Sequence, residues 1–317
     1  MKNKITVTIA ISLLATALLF TACGKKPAAE SPSASSSPAP EDVSPTPSAD
    51  IKYPLVVKAG TSVTVDLNSD GKKEEVCYDL IDDTSDTSFS GKIPRLLING
   101  IDCYNVASSN QEIYIDNPEP AYYCITDIDT LDNMLEIALM DYGPSSDYMT
   151  HFFRYDGTGL IYYGYMSGMI ISSFTDKSDL TFNGDGTINS YMRLSVLQTW
   201  WAEAKWKLTD SGLEPVEQKL YYPVCPTEFG ADPHTNVTLN IDIEVYEKND
   251  FESAKSVLPS GTALTFIATD NKEWVLAKTS DGTECWIHLD CEYGQDVETP
   301  SGYVSSINTF SGLLIAD

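Results

Sequence analysis

The chain has 317 residues, with 46 acidic against 20 basic side chains and a formal net charge of −26 at pH 7. So acidic a surface is repelled by phosphate backbones and by anionic lipid heads. That excludes nucleic acid as a partner and leaves cations, neutral glycans and peptides.

Lys2 and Lys4 precede the mostly apolar stretch Ile5–Phe20, and Leu19-Phe20-Thr21-Ala22-Cys23 follows. A basic start, an apolar core and small residues before a break describe a secretory signal. The last five residues resemble the lipobox of bacterial prolipoproteins. That resemblance implies removal of residues 1–22 and a diacylglyceryl group on Cys23, placing the rest outside the cell membrane. Two acyl chains are what stable anchoring requires. Residues 23–50 carry the lipidated Cys and a Pro-, Ser- and Ala-rich linker without apolar periodicity, a composition that cannot order itself. As a flexible coil it would reach about 30 Å and lift the folded part off the membrane.

From Ile51 onward the sequence reads as strand and turn, so the fold expected is all-β. Ser62–Leu67 alternates with period two. Asn99-Gly100 between apolar runs marks a tight hairpin. Phe152–Tyr155 and Leu160–Tyr163 form a second hairpin around Asp156-Gly157. An internal repeat aligns Asp66–Val76 with Asp127–Ile137, matching Glu75 to Glu136 and Val76 to Ile137. A weaker third copy runs Thr181–Ile188. Repeated strand-loop units predict stacked sheets over residues 51–222, arranged like propeller blades or as a sandwich.

Asp66, Asn68 and Asp70 place oxygen side chains at alternate positions of a tight loop, as a hard cation requires. Gly71 gives the turn, the Lys72 carbonyl could point inward, and Glu74 stands where a fifth ligand would sit. Cys77 occupies the position at which an EF-hand needs its bidentate Glu. The loop instead resembles the Asp-rich calcium loops of FG-GAP or VCBS-type propeller repeats, which implies Ca²⁺ at this loop. In the second copy Leu131 and Leu135 replace two ligands, and Asp132 is expected to take a left-handed turn. The plain alternative for both loops is an Asx-type turn closed by side chain to backbone bonds.

Residues 237–292 have a different pattern. Val245-Tyr246 starts a strand, Gly261-Thr262 opens another, and Trp274-Val275 leads through Asp281-Gly282 to Cys285-Trp286-Ile287. This order resembles the bacterial SH3 (SH3b) domain, with Cys285 where that family has Gly. The resemblance implies a small β-barrel binding cell-wall peptide or glycan in an aromatic groove lined by Tyr246, Trp274 and Trp286. The bland alternative makes Trp274 and Trp286 core residues. Residues 293–317, ending in Phe310–Ile315, are expected to pack against a domain.

Catalytic patterns are sparse. Asp102-Cys103, expected on a strand, and the histidines His151, His234 and His288 form no Cys–His motif or zinc spacing. No nucleophile elbow or phosphate loop is present. Trp200-Trp201 reads as one core and one surface residue. Of the six cysteines beyond Cys23, no pair is identified by spacing. The function expected is a non-catalytic surface binding or scaffold protein. The alternative is a wall hydrolase with an unrecognised site.

Overall fold

The computed structural model describes residues 52–84, 90–110, 113–118, 121–143, 147–171, 177–225, 234–290 and 295–315. The signal, Cys23 and the linker lie outside the described residues. Among the described residues no helix is long and apolar enough to cross a membrane.

The fold is all-β. It opens with β1 (Leu55–Lys58), β2 (Ser62–Val65), β3 (Glu74–Asp82), β4 (Lys92–Ile98), β5 (Ile101–Asp102) and α1 (Cys103–Asn110). Strands β2-β3-β4-β5 form the first antiparallel sheet. Its last hairpin turns on Asn99 and Gly100, at φ 51° and 79°. Both central residues of such a two-residue hairpin need positive φ, which Asn and Gly tolerate. Cys103 corrects an expectation: it is the first residue of α1 and not part of a strand.

Next come β6 (Tyr122–Thr126), β7 (Glu136–Asp141), β8 (Met149–Tyr155) and β9 (Leu160–Ser167), then β10 (Thr181–Phe182), β11 (Thr187–Leu194), β12 (Trp200–Thr209) and β13 (Gly212–Pro215). The second sheet runs β1-β6-β7-β8-β9 and the third β10-β11-β12-β13. The second sheet is covered on both faces. Tyr123, Ile125, Ile137, Leu139 and Phe153 pack with Leu67, Val76, Tyr78 and Leu96 of the first sheet and its loop. The alternate residues Cys124, Ala138, Met140 and Phe152 pack with Ile188 and Leu213 of the third. This is the period-two alternation of a strand buried on both sides, and β7 is buried from end to end.

The three repeat loops hold one another. Leu135 N–H donates to the Leu67 carbonyl at 2.9 Å, and Gly186 N–H to the Ile128 carbonyl at 2.9 Å. At Gly186 φ is +79°, and a Cβ would lie 3.2 Å from Asp129. Only glycine meets both conditions without strain.

The remaining elements are β14 (Asn236–Leu239), β15 (Ile243–Tyr246), β16 (Lys255–Leu258), β17 (Ala263–Thr269), β18 (Trp274–Thr279), β19 (Glu284–Asp290), β20 (Asp296–Thr299), β21 (Gly302–Ser305), α2 (Ser306–Thr309) and β22 (Phe310–Ser311). Their sheet runs β16-β15-β19-β18-β17-β14-β22, with β20 paired to β19 and β21. Among the described residues the pairing shows no closed barrel. In the carboxyl-terminal segment Val297 and Phe310 enter the core, while Leu314 and Ile315 stay exposed. That core also holds Leu194, Trp200, Ala202 and Tyr221, so the 237–292 segment shares its interior with the third sheet.

Candidate functional site

Two places in the fold collect the side chains singled out in the sequence. The first is the 66–74 loop. Asp66 Oδ2 accepts Gly71 N–H at 3.0 Å, Asn68 Oδ1 accepts Asp70 N–H at 3.2 Å, and Asp70 Oδ1 accepts Lys72 N–H at 2.8 Å. The Lys72 ammonium sits 3.2 Å from Asp70 Oδ2. These bonds to Lys72 hold the Asp70 carboxyl below the usual carboxylate range. Glu74 is buried, and its Oε2 accepts Leu67 N–H at 3.0 Å. The oxygens therefore close the loop on its own backbone as Asx-type turns do. No cluster of three or more His, Cys, Asp or Glu that could hold a metal occurs among the described residues. One acceptor, Asp66 Oδ1, is buried without a partner.

The second loop shows that the repeat frame read from sequence is displaced by one residue at its end. Ile128 N–H donates to Glu136 Oε2 at 2.9 Å, as Leu67 N–H does to Glu74. Glu136 therefore matches buried Glu74, not the exposed Glu75, and the second loop is one residue longer. Its left-handed residue is Asn133, at φ 58°, rather than Asp132. Asp132 instead accepts Met134 N–H at 2.9 Å and Arg154 Nη2 at 2.5 Å. The Arg154 guanidinium also bonds Glu136, so a protein cation stands between the two carboxylates. Burial pushes the Glu136 carboxyl up to about 7, against the pull of Arg154.

The second place is the outer face of the carboxyl-terminal sheet. On β15, Ile243 and Val245 enter the core; on β18, Val275 and Ala277; on β19, Cys285, Ile287 and Leu289. The alternate residues Tyr246, Trp274, Trp286 and His288 therefore share the opposite face. Ladder pairing sets Trp274 opposite His288, and Trp286 opposite Leu276 and Tyr246. Tyr246 and Trp274 rings meet edge to face at 5.2 Å, and Trp274 and His288 rings lie tilted at 4.8 Å. Phe251 covers both, 5.2 Å from Trp274 and 4.7 Å from His288, while staying 56% exposed. Tyr303 donates or accepts at 3.0 Å with His288 Nδ1 and is 45% exposed.

Polar groups frame these rings. Glu298 Oε2 accepts the Tyr246 hydroxyl at 2.9 Å and lies 3.2 Å from His288 Nδ1. Lys255 Nζ bonds Glu244 at 2.6 Å and Glu298 at 2.8 Å, and stands 4.8 Å from the centre of the Tyr246 ring. Burial alone would raise the Glu298 carboxyl, but the Lys255 and Tyr246 bonds outweigh it and hold it low. Trp274 is 4% exposed, yet it is buried by this aromatic layer and not by the main core. Trp286 is half-buried. Phe251, His288, Glu298 and Tyr303 were not read from sequence as part of this site. The alternation of β19 would have put His288 beside Trp286, but nothing local marks the other three.

Burial pushes the Cys103 thiol up, the reverse of what activates a nucleophile. His151 Nδ1 bonds the Tyr162 hydroxyl at 2.9 Å, and its Nε2 lies 3.8 Å from Asp141. Cys77, Cys103, Cys124 and Cys285 are free thiols, and Cys291 lies outside the described residues. No protein-family model, curated protein or solved structure matches this chain.

Proposed function

We propose that the protein is an exported, lipid-anchored binding protein without catalytic function, held to the cell membrane through Cys23. Its contact surface is the outer aromatic face of the carboxyl-terminal sheet, and its target is cell-wall peptide or glycan. The observation that carries this reading is the exposed pair Phe251 and Tyr303, standing over Trp274 and His288 on the face turned away from the core. Aromatic rings with polar tips in a half-open setting supply contact area at small entropic cost. The acidity of the chain disfavours anionic wall polymers and suits neutral or cationic groups.

Sedimentation of the full chain with purified peptidoglycan tests it. The wild type co-sediments, and Phe251→Ala and Trp286→Ala co-sediment markedly less. Equal sedimentation of both variants removes the aromatic face from the reading. Fatty-acid probe labelling in cells, lost in Cys23→Ala, tests the anchor. Equal labelling of that variant overturns it. Calcium at the first loop is a secondary proposal resting on Asp66 Oδ1, the buried acceptor left without a donor.

A further inference from the structure

A second surface, remote in sequence from the aromatic face, has the composition of a saccharide site. It lies on the third sheet. There Asn189, Tyr191 and Arg193 of β11 stand opposite Lys205, Glu203 and Trp201 of β12 in ladder register. Period two puts all six side chains on one face, while Ile188 and Leu194 on the other face enter the core. Two open cavities meet on this face at Tyr191. One, of about 300 Å³, is lined by Asp147, Tyr148, Arg193 and Trp201. The other, of about 490 Å³, is lined by Asn189, Glu203, Lys205 and Gln218. Together they form a groove that crosses β11 and β12, within the size range of small-ligand sites.

We propose that this groove binds a neutral oligosaccharide. One accessible ring, Trp201, offers flat apolar surface for the C–H face of a sugar ring, beside the buried rings of Tyr148 and Tyr191. Tyr191 is buried as the floor, and Trp201 is half-exposed at the side. Around them the groove alternates donors and acceptors: the Asn189 and Gln218 amides, the Lys205 ammonium and the Glu203 carboxylate. Sugar hydroxyls both donate and accept, so a mixed polar lining matches them. Arg193 bonds Asp147 at 3.0 Å, which fixes the guanidinium plane at one end. Bases and acids are close to balanced here, in a chain with 46 acids against 20 bases. That local balance favours a neutral ligand over a charged one. Aliphatic side-chain pockets, which would anchor a peptide, are scarce in this lining. The proposal is independent of the carboxyl-terminal aromatic face.

The test titrates the full chain with cellotetraose and with tetra-N-acetylchitotetraose, following tryptophan fluorescence and heat. At least one is expected to bind saturably. Trp201→Ala should weaken that binding about tenfold or more, and Trp201→Phe should recover most of it. Glu203→Ala, at an exposed strand position where folding is not at stake, should also weaken it. Trp286→Ala should leave it unchanged, so failure here is distinguishable from failure of the aromatic-face reading. Binding of neither tetrasaccharide, or equal binding by wild type, Trp201→Ala and Glu203→Ala, overturns the proposal.

Discussion

Glu74 and Glu136 occupy the same place in two successive sheets: each is buried and accepts the backbone N–H of the apolar residue that opens its loop, Leu67 at 3.0 Å and Ile128 at 2.9 Å. They differ in what faces them. Glu136 lies opposite Arg154 in the β7–β8 ladder. Past the start of β3, the first sheet turns back through Asn99 and Gly100, where Asn99 N–H donates to the Glu75 carbonyl and Asn99 Oδ1 accepts Glu75 N–H. The repeat thus keeps a carboxylate that ties loop to strand, and in its second copy pairs that carboxylate with Arg154.

Removing that cation should be costly. In Arg154→Ala the Glu136 side chain, 0% exposed, is left as an unpaired buried acid. A loss of about 3–5 kcal/mol at neutral pH is expected in urea melts. The folded Glu136 carboxyl titrates at about 7 against an ordinary 4.5. Folding therefore favours its protonated form, so its contribution is complete below pH 4.5 and is lost as pH rises through 7. The Arg154→Ala deficit should accordingly be smaller at pH 5 than at pH 8. An equal deficit at both would mean that Glu136 does not titrate in this window.

Trp274 and Trp286 should separate on substitution. Trp274 is buried under Phe251 and Tyr246, and its replacement by Ala should cost about 3–5 kcal/mol. Trp286, half-buried beside it, should cost less than half as much while losing peptidoglycan binding. Paired thermal melts and sedimentation check this. A cooperative loss of fold in Trp286→Ala would make it a structural residue.

Glu298 should contribute to acid sensitivity. Its folded carboxyl is held below the ordinary 4.5 by Lys255 and Tyr246, against the opposing effect of burial. A depressed acid stabilises the fold above its unfolded pKa, and that stabilisation is lost as pH falls through the folded value. Glu298→Gln should therefore destabilise the protein at pH 7 and make little difference at pH 3. A constant deficit across that range would show that the charge is not the source.

Calcium should raise the melting temperature of the full chain if it sits at Asp66. At a hundredfold excess over its dissociation constant, a ligand specific for the folded state adds about 2.7 kcal/mol. The shift should vanish in Asp66→Ala. No shift in the wild type leaves the loop closed by the Gly71, Asp70 and Lys72 N–H bonds alone.

The sequence by itself determined the strands and their turns. Asn99-Gly100 placed a hairpin because few residues tolerate positive φ at both positions, and the alternation in β2 and the β8–β9 hairpin followed from the pleat. It also showed that loops recur and that Trp200 and Trp201 face opposite ways. Tertiary structure alone decided the rest. Which Glu matches Glu136 depended on burial, because Glu74 and Glu75 are chemically identical neighbours and only the pleat tells them apart. The helical start at Cys103 follows from the way α1 caps the first sheet's core, a non-local effect that an eight-residue helix cannot announce. The aromatic face joins Tyr246, Phe251, Trp274, His288 and Tyr303 from four separate stretches of chain. The sugar-like groove likewise appears only when β11 and β12 are set in register. Local sequence fixes which way a side chain points along its own strand, but which strand lies beside it is settled by packing.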